Sequence, residues 1–186
     1  MQKNYGGICV NRELLEEKLA ELPLFIYGYL DPKELDFSDR IRWICEHECP
    51  MYGQTWACPP GVGSVECCKA KCLSYENCLM ISTVAEVHDI SSIDETLSTR
   101  ADHEEITNEV RDIMRELGEE PYVLSTEACT ICEHCAYLDG QPCRHPDRMH
   151  PCVESHGINV IPVLESQGIE FQFGDNVVTW VSLLFY

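Results

Sequence analysis

Four cysteines in the C-terminal half of the chain recur at a spacing typical of an iron–sulfur site. Cys129, Cys132 and Cys135 occupy every third position, and Cys143 completes the pattern C-x2-C-x2-C-x7-C. Ferredoxins open with the same C-x2-C-x2-C run and bind 4Fe–4S clusters through it. A tetrahedral zinc ion is more often held by two separated C-x2-C pairs. The fourth cysteine here follows after seven residues instead of three, and Arg144 comes next where a ferredoxin has proline. The spacing predicts a 4Fe–4S cluster, with zinc as the alternative.

A second set of cysteines lies upstream, in a segment rich in proline and glycine. Cys45, Cys49 and Cys58 occur in WICEHECPMYGQTWACPP with the spacing C-x3-C-x8-C, which matches neither a ferredoxin nor a zinc-finger pattern. A loop of fixed turns leaves backbone amides free to bond cluster sulfurs, and nearby aromatic side chains are expected to exclude water. These aromatic residues are Trp43, Tyr52 and Trp56. The segment predicts a second cluster site.

Three cysteines leave this upstream site one ligand short of a saturated 4Fe–4S cluster. Either a nearby cysteine closes the site, or one iron remains open for water or a substrate. Cys67 and Cys68 are adjacent and cannot both face the same way, whereas Cys68 and Cys72 share one face of a predicted helix. Cys68 is therefore included among the candidate metal ligands. Because Cys58 precedes a proline, as do ferredoxin cysteines that serve the other cluster, ligands are not assigned to individual clusters.

Composition and charge narrow the classes of partner. The chain has 186 residues, 13 cysteines and a formal net charge of −19. Such a surface repels phosphate backbones, so we expect no nucleic acid partner. It favours a redox partner protein with a basic docking surface, although the same charge is also explained by solubility alone. The sequence shows neither a membrane-spanning apolar stretch nor a signal peptide. We therefore expect no membrane association, a cytoplasmic location, and cysteines that bind metal instead of forming disulfides.

Hydrophobic patterns predict an α+β or α/β fold, in which a small mixed sheet with flanking helices carries the cluster loops at its edge. The whole chain, 1–186, is predicted to form one cysteine-rich metal-binding domain with cluster loops at 45–72 and 129–143. Ser38 is expected to cap a helical turn that leads to Cys45. Helices are predicted over 11–22, 65–76 and 93–117, and from near 147 to 155–157. Strands are predicted over 24–30, 77–87, 121–125 and 176–186, and 158–164 is an apolar segment of undecided type.

The motifs together resemble a known family. The tract CEHECPMYGQTWACPP, the run CTICEHCAYLDGQPCRHPDRMHPCVESHGINV and the tail NVVTWVSLLFY are similar to DUF2284, a family of predicted metal-binding, cysteine-rich proteins, over most of residues 40–186. Members occur mostly in anaerobic bacteria and archaea. The resemblance implies metal binding but no particular reaction, and Cys152 stands where the family usually has a small polar residue. The cysteines shared with the family are Cys45, Cys49, Cys58, Cys129, Cys132, Cys135 and Cys143.

The unequal ligand counts lead to a functional hypothesis. Four thiolates saturate a cluster for electron transfer, whereas three leave an iron that can bind a further group. We predict a cytosolic iron–sulfur redox protein with two 4Fe–4S clusters, one saturated and one with an open iron for substrate or partner chemistry. The alternatives are a zinc-stabilised, non-catalytic interaction module and an iron–sulfur enzyme of reductive or sulfur-transfer chemistry. These hypotheses include both enzymatic and non-enzymatic proteins.

Overall fold

The computed structural model describes residues 11–169 and 176–186. Cys9, which we expect to fill space in the core, lies outside the described residues. Within these two ranges, three short 3-10 helices occur at Pro32–Glu34, Ala136–Asp139 and Glu154–His156. In chain order, the helices and strands are α1 (Arg12–Leu19), β1 (Ile26–Leu30), α2 (Asp39–His47), α3 (Val65–Cys72), β2 (Cys78–Glu86), α4 (Ile93–Ser98), α5 (Arg100–Glu116), β3 (Tyr122–Leu124), α6 (Val160–Ser166) and β4 (Val177–Phe185).

The four strands form one sheet in the order β1-β2-β4-β3, and each neighbouring pair is antiparallel. Met80 of β2 is opposite Gly28 of β1 on one side and Leu183 of β4 on the other. The two central strands are apolar on both sides because helices and loops cover both faces of the sheet. The predicted α+β class is confirmed, but the sheet is antiparallel throughout and not mixed, because none of its neighbouring strands run parallel.

Side chains alternate along β2 between two hydrophobic cores. Leu79 and Ile81 point to the first core, where α1 and α5 pack with Leu15 and Met114. Met80, with Cys78, points to the second core, which also contains side chains of α6 and of the segment before it. This alternation follows from the two-residue period of a strand. The sheet thus separates the α1 and α5 helices from the face on which α6 packs.

A line of buried polar side chains joins α5 to the sheet. Ring atoms Nδ1 and Nε2 of His103 lie 2.8 Å from the hydroxyls of Thr83 and Ser182, respectively. Ser182 also lies 3.0 Å from Thr107 Oγ1 and 2.9 Å from Ser125 Oγ. Each of these groups has a hydrogen-bond partner, which buried polar atoms require. The polar line reaches Ser125, the residue after β3, from which the C-terminal cysteine loop departs.

Several predicted helices differ in extent from those observed. The helix predicted over 93–117 is divided at Thr99 into α4 and α5. Residues 160–164 of the predicted apolar segment 158–164 belong to α6, which begins after the Asn159 cap. The helix predicted to begin near Asp147 is wrong, because only the 3-10 turn Glu154–His156 forms there before Gly157 takes a left-handed conformation. No helix within 11–169 and 176–186 has the length and apolarity to cross a membrane.

Candidate metal centre

The four cysteines of the C-terminal run come together around one cavity. The loop that carries them follows β3, and Cys135 precedes the 3-10 helix Ala136–Asp139. The volume of the cavity is about 10 Å³, about the space that one water molecule needs. Its lining residues are Trp56, Cys129, Ile131, Cys132, Cys135, Ala136, Cys143, Arg144, His145 and Met149.

Backbone amides bind two of the four sulfurs. The N–H of His145 donates to Cys143 Sγ at 3.4 Å. Burial raises the pKa of the Cys129 thiol, and a hydrogen bond from the Ile131 amide opposes this rise. In both cases the amide belongs to the residue two positions after the cysteine. Amides that point at sulfur stabilise thiolates and tune the potential of a cluster bound by them.

A buried arginine lies beside the first cysteine of this loop. Arg100, at the start of α5, is 8% exposed, and its positive charge further opposes the rise in the pKa of Cys129. Its Nε donates to the Thr126 carbonyl at 2.9 Å, and Nη1 donates to Thr130 Oγ1 at 3.1 Å. Nη2 forms an ion pair with Glu104 at 3.3 Å. Arg100 therefore holds the loop on both sides of Cys129. It lies 29 residues before Cys129 in the sequence, and no spacing pattern marks it.

Trp56 connects the two cysteine segments. It belongs to the N-terminal tract but lines the cavity of the C-terminal cysteines. Its Nε1 donates to the Gln141 carbonyl at 2.9 Å, and its ring meets Tyr137 edge to face at 5.0 Å. Trp43 and Tyr52 do not form the water-excluding wall predicted for the N-terminal site, because they are 50% and 39% exposed. The indole of Trp56 instead covers the other site.

The N-terminal cysteines lie on a helix end and on the loop after it. Cys45 is in the last turns of α2, whose predicted cap is confirmed: Ser38 Oγ accepts a hydrogen bond from Arg40 N at 3.2 Å. Cys58 follows in a loop whose close packing requires glycine at position 61. A Cβ atom on Gly61 would lie 2.9 Å from the Thr55 carbonyl oxygen, which is closer than real Cβ contacts.

Electrostatic interactions show that Cys45, Cys49 and Cys58 are neighbours. Burial raises the pKa of Cys45 to about 11; Glu154, Cys49 and Cys58 add to the rise, and the charge of Arg42 opposes it. Burial also raises the pKa of Cys58, and Cys49 adds to this rise. Cys129 of the C-terminal run contributes to the same shift in Cys58. The structure therefore brings the three upstream cysteines together and places them near the C-terminal site.

Cys68 lies in a different environment from that trio. Its Sγ donates to the Val62 carbonyl at 3.4 Å and lies 3.7 Å from Nη2 of Arg42. Its neighbour along α3, Cys72, is fully buried in the core; burial raises the pKa of Cys72 to about 12, and Cys68 adds to the shift. Cys67 is exposed. These contacts agree with the prediction that Cys68 and Cys72 share one face of the helix. Arg42, which contacts Cys68, also acts electrostatically on Cys45.

Cys152 and Glu154 lie near the N-terminal trio, although no sequence motif marks them as part of a site. Cys152 Sγ donates to Glu154 Oε2 at 2.8 Å, and the Cys152 amide donates to the Ala57 carbonyl at 3.2 Å. This amide bond fixes Cys152 beside the residue that precedes Cys58. Burial raises the pKa of the Glu154 carboxyl. Glu154 could be found only from the structure, because 96 residues separate it from Cys58.

Among the residues that the structure describes, no group of three or more His, Cys, Asp or Glu side chains is positioned to hold a metal ion. The four C-terminal cysteines line one cavity without converging on one point. A family model described as a predicted metal-binding protein (DUF2284) matches residues 28–186. Comparisons with curated proteins and with solved structures gave no match.

Proposed function

Because this chain belongs to the DUF2284 family of predicted metal-binding proteins, we propose that it is an iron–sulfur redox protein with two 4Fe–4S clusters. The C-terminal cluster takes all four cysteines of its run, and the N-terminal cluster takes Cys45, Cys49 and Cys58. The observation that carries the proposal is that the four C-terminal cysteines line one cavity. Their C-x2-C-x2-C opening is the one that ferredoxins use for such clusters.

The residues around this cavity suit a cluster by donor type and by the groups that surround the donors. Thiolates are the usual ligands of iron–sulfur clusters, and backbone amides already bind Cys129 and Cys143. The present volume of about 10 Å³ is smaller than a cluster, so the four thiols would have to move apart to hold one. All four thiols are partly exposed, which supports such a movement.

When bound, a 4Fe–4S cluster supplies reversible one-electron transfer. The protein's own part is to control the charge and the solvent around it. Arg100, which is 8% exposed, stabilises the additional negative charge of the reduced state. Trp56 and Met149 shield the cavity from water on one side. The interaction of Cys129 with Cys58 supports electron exchange between the two sites.

We infer a redox partner protein with a basic docking surface and a cytoplasmic location. The net charge of −19 supports the partner because electrostatic attraction guides weak, transient redox complexes. The twelve cysteines within the described residues are all free thiols, as expected for a reducing compartment. Cys68 is the candidate for a fourth cysteine ligand at the N-terminal site. Its thiol already donates a hydrogen bond to the Val62 carbonyl, and this bond competes with metal binding.

Metal analysis after anaerobic reconstitution tests the proposal. Two clusters predict about eight iron and eight acid-labile sulfide per chain. About four iron would leave only the C-terminal cluster. Stoichiometric zinc without sulfide would refute the cofactor and favour the zinc-stabilised interaction module. Loss of about four iron in Cys132→Ala but not in Cys67→Ala, an exposed thiol, would assign iron to the C-terminal cavity.

A further inference from the structure

One side of the strand β4 is open along its first half. Asn77 and Tyr186 exchange two backbone hydrogen bonds, at 2.9 and 3.0 Å, and in an antiparallel ladder such hydrogen-bonded pairs recur at every second residue. When this alternation is followed along the β2–β4 register, Trp180 bonds to β2. The backbone N–H and C=O groups of Thr179 and Val181 therefore point away from β2.

The neighbouring strand β3 covers only the second half of this side. It ends at Leu124, which is opposite Leu183 of β4. The chain then turns away, because the N–H of Ser125 donates to the carbonyl of Pro151 at 2.9 Å. Within the part of the chain that the structure describes, no strand pairs with residues 177–181 on this side, which we call the open edge of β4. Backbone groups that are unpaired at a sheet edge are a template for a further strand.

A groove of about 320 Å³ adjoins the open edge, a volume typical of ligand sites. Thr179 and Val181 line it from the sheet. Ile158 and Ile161, at the start of α6 and just before it, add apolar surface. Thr126 also lines the groove; it is 8% exposed, and its Oγ1 has no hydrogen-bond partner among the described residues. A buried hydroxyl without a partner costs free energy, which a bound chain with a polar group recovers.

Two carboxylates make the groove acidic. Glu127 and Glu154 both line it; burial raises the pKa of Glu154, and the charge of Glu127 adds to this rise. Within 11–169 and 176–186, no lysine or arginine lines the groove and no ion pair includes either glutamate. The described side chains there also include no group of three that could hold a metal ion. The groove is therefore complementary to a positively charged side chain of a partner.

We propose that an extended segment of a partner protein, with alternating apolar and basic side chains, binds the open edge of β4 as a further strand. Backbone hydrogen bonds to Thr179 and Val181 supply affinity. A lysine or arginine beside Glu127 and Glu154 supplies specificity. Because Glu127 lies two residues before Cys129, the segment binds next to the C-terminal cysteine loop. The partner's redox role rests on the proposed function, whereas the binding itself requires no cluster because the edge belongs to the sheet.

The test measures the binding of short peptides to the anaerobically reconstituted protein by fluorescence anisotropy. The probe is a fluorescein-labelled pentapeptide in which valine and lysine alternate, and it should bind with a micromolar Kd. Glutamate in place of lysine should weaken binding about tenfold or more, because like charges then meet in the groove. Methylation of the backbone nitrogens of alternate residues removes the donors on one edge of the peptide. In one of its two phases it should weaken binding by a similar factor.

Two variants of the protein locate the site. Thr179→Pro removes an N–H that points to the groove and keeps the hydrogen bonds from β4 to β2, so it should weaken binding of the lysine peptide about tenfold. Glu127→Gln should weaken binding of the same peptide about threefold or more. Glu86→Gln is the matched control, because Glu86 is an exposed carboxylate at the end of β2 that does not line the groove. It should change the Kd by less than about twofold.

Equal Kd values for the lysine and glutamate peptides would overturn the proposal, as would equal values for the unmethylated peptide and both methylated ones. A dimer in sedimentation that Thr179→Pro dissociates would also overturn it, because a second copy of the chain would then occupy the edge. If Thr179→Pro does not fold, the methylated peptides decide. Iron and sulfide analysis of the same samples separates the two proposals. Protein without cluster iron refutes the proposed function, whereas full clusters without peptide binding refute only the docking site.

Discussion

Removal of the buried imidazole of His103 should make the protein less sensitive to acid. His103 is fully buried between Thr83 and Ser182, and each ring nitrogen lies 2.8 Å from one of their hydroxyls. Burial, together with the charge of Arg100, lowers the pKa of His103 from 6.5 to about 3. A neutral imidazole suits this position because it donates one hydrogen bond and accepts the other. The substitution that tests this is His103→Gln, which keeps a donor and an acceptor but cannot titrate.

The sign of the effect follows from the difference between the folded and unfolded states. Between pH 3 and 6.5 the unfolded chain binds a proton at His103 that the folded protein does not bind. The stability contributed by the neutral ring is thus fully present above pH 6.5 and is lost as the pH falls toward 3. The loss is about 1.4 kcal/mol per pH unit, or about 2 kcal/mol between pH 6.5 and 5.0. Without His103, this part of the pH dependence disappears.

Anaerobic urea unfolding at pH 7.0, 6.0 and 5.0, followed by circular dichroism, measures the effect. His103→Gln should be about 1–3 kcal/mol less stable than the wild-type protein at pH 7, because its hydrogen bonds fit less well. The difference should shrink by about 2 kcal/mol by pH 5.0. His47→Gln replaces an exposed histidine at the end of α2; it is the control and should keep the wild-type slope. If the wild-type protein and His103→Gln lose stability in parallel as the pH falls, the reasoning is refuted.

Two further predictions concern the C-terminal cysteine loop. Cys132→Ala should lower the anaerobic melting temperature of the metal-loaded protein far more than Cys67→Ala, because metal binding contributes directly to folding. Cys67 is an exposed thiol and serves as the control. Equal melting temperatures of the two variants would contradict this prediction. Arg100→Gln should lower the midpoint potential of the C-terminal cluster in a redox titration, because it removes a buried cation that favours the reduced state. Arg12→Gln, on the exposed face of α1, should leave that potential unchanged.

Local features of the sequence predicted the strands, one helix cap and the grouping of the cysteines. The apolar runs at 77–87 and 176–186 formed the two central strands β2 and β4 because their side chains alternate toward two cores. Ser38 capped α2 as expected, since capping depends only on the adjacent backbone. Cysteines that recur at every third position have thiols that stay close together in space in any compact loop. The cavity shared by Cys129, Cys132, Cys135 and Cys143 therefore agrees with the pattern.

The tertiary structure alone determined what surrounds those cysteines. Trp56 covers the C-terminal cavity instead of its own segment, because its indole bonds to the Gln141 carbonyl 85 residues away. Arg100 reaches Cys129 because α5 packs on the sheet with its first turn beside the end of β3. Glu154 reaches Cys45 through the packing of a single 3-10 turn on α2. Such contacts depend on how distant elements pack together, and neither periodicity nor motif spacing records this packing. The sequence by itself thus determined which atoms can bind metal. The fold decided which charged and aromatic side chains surround them.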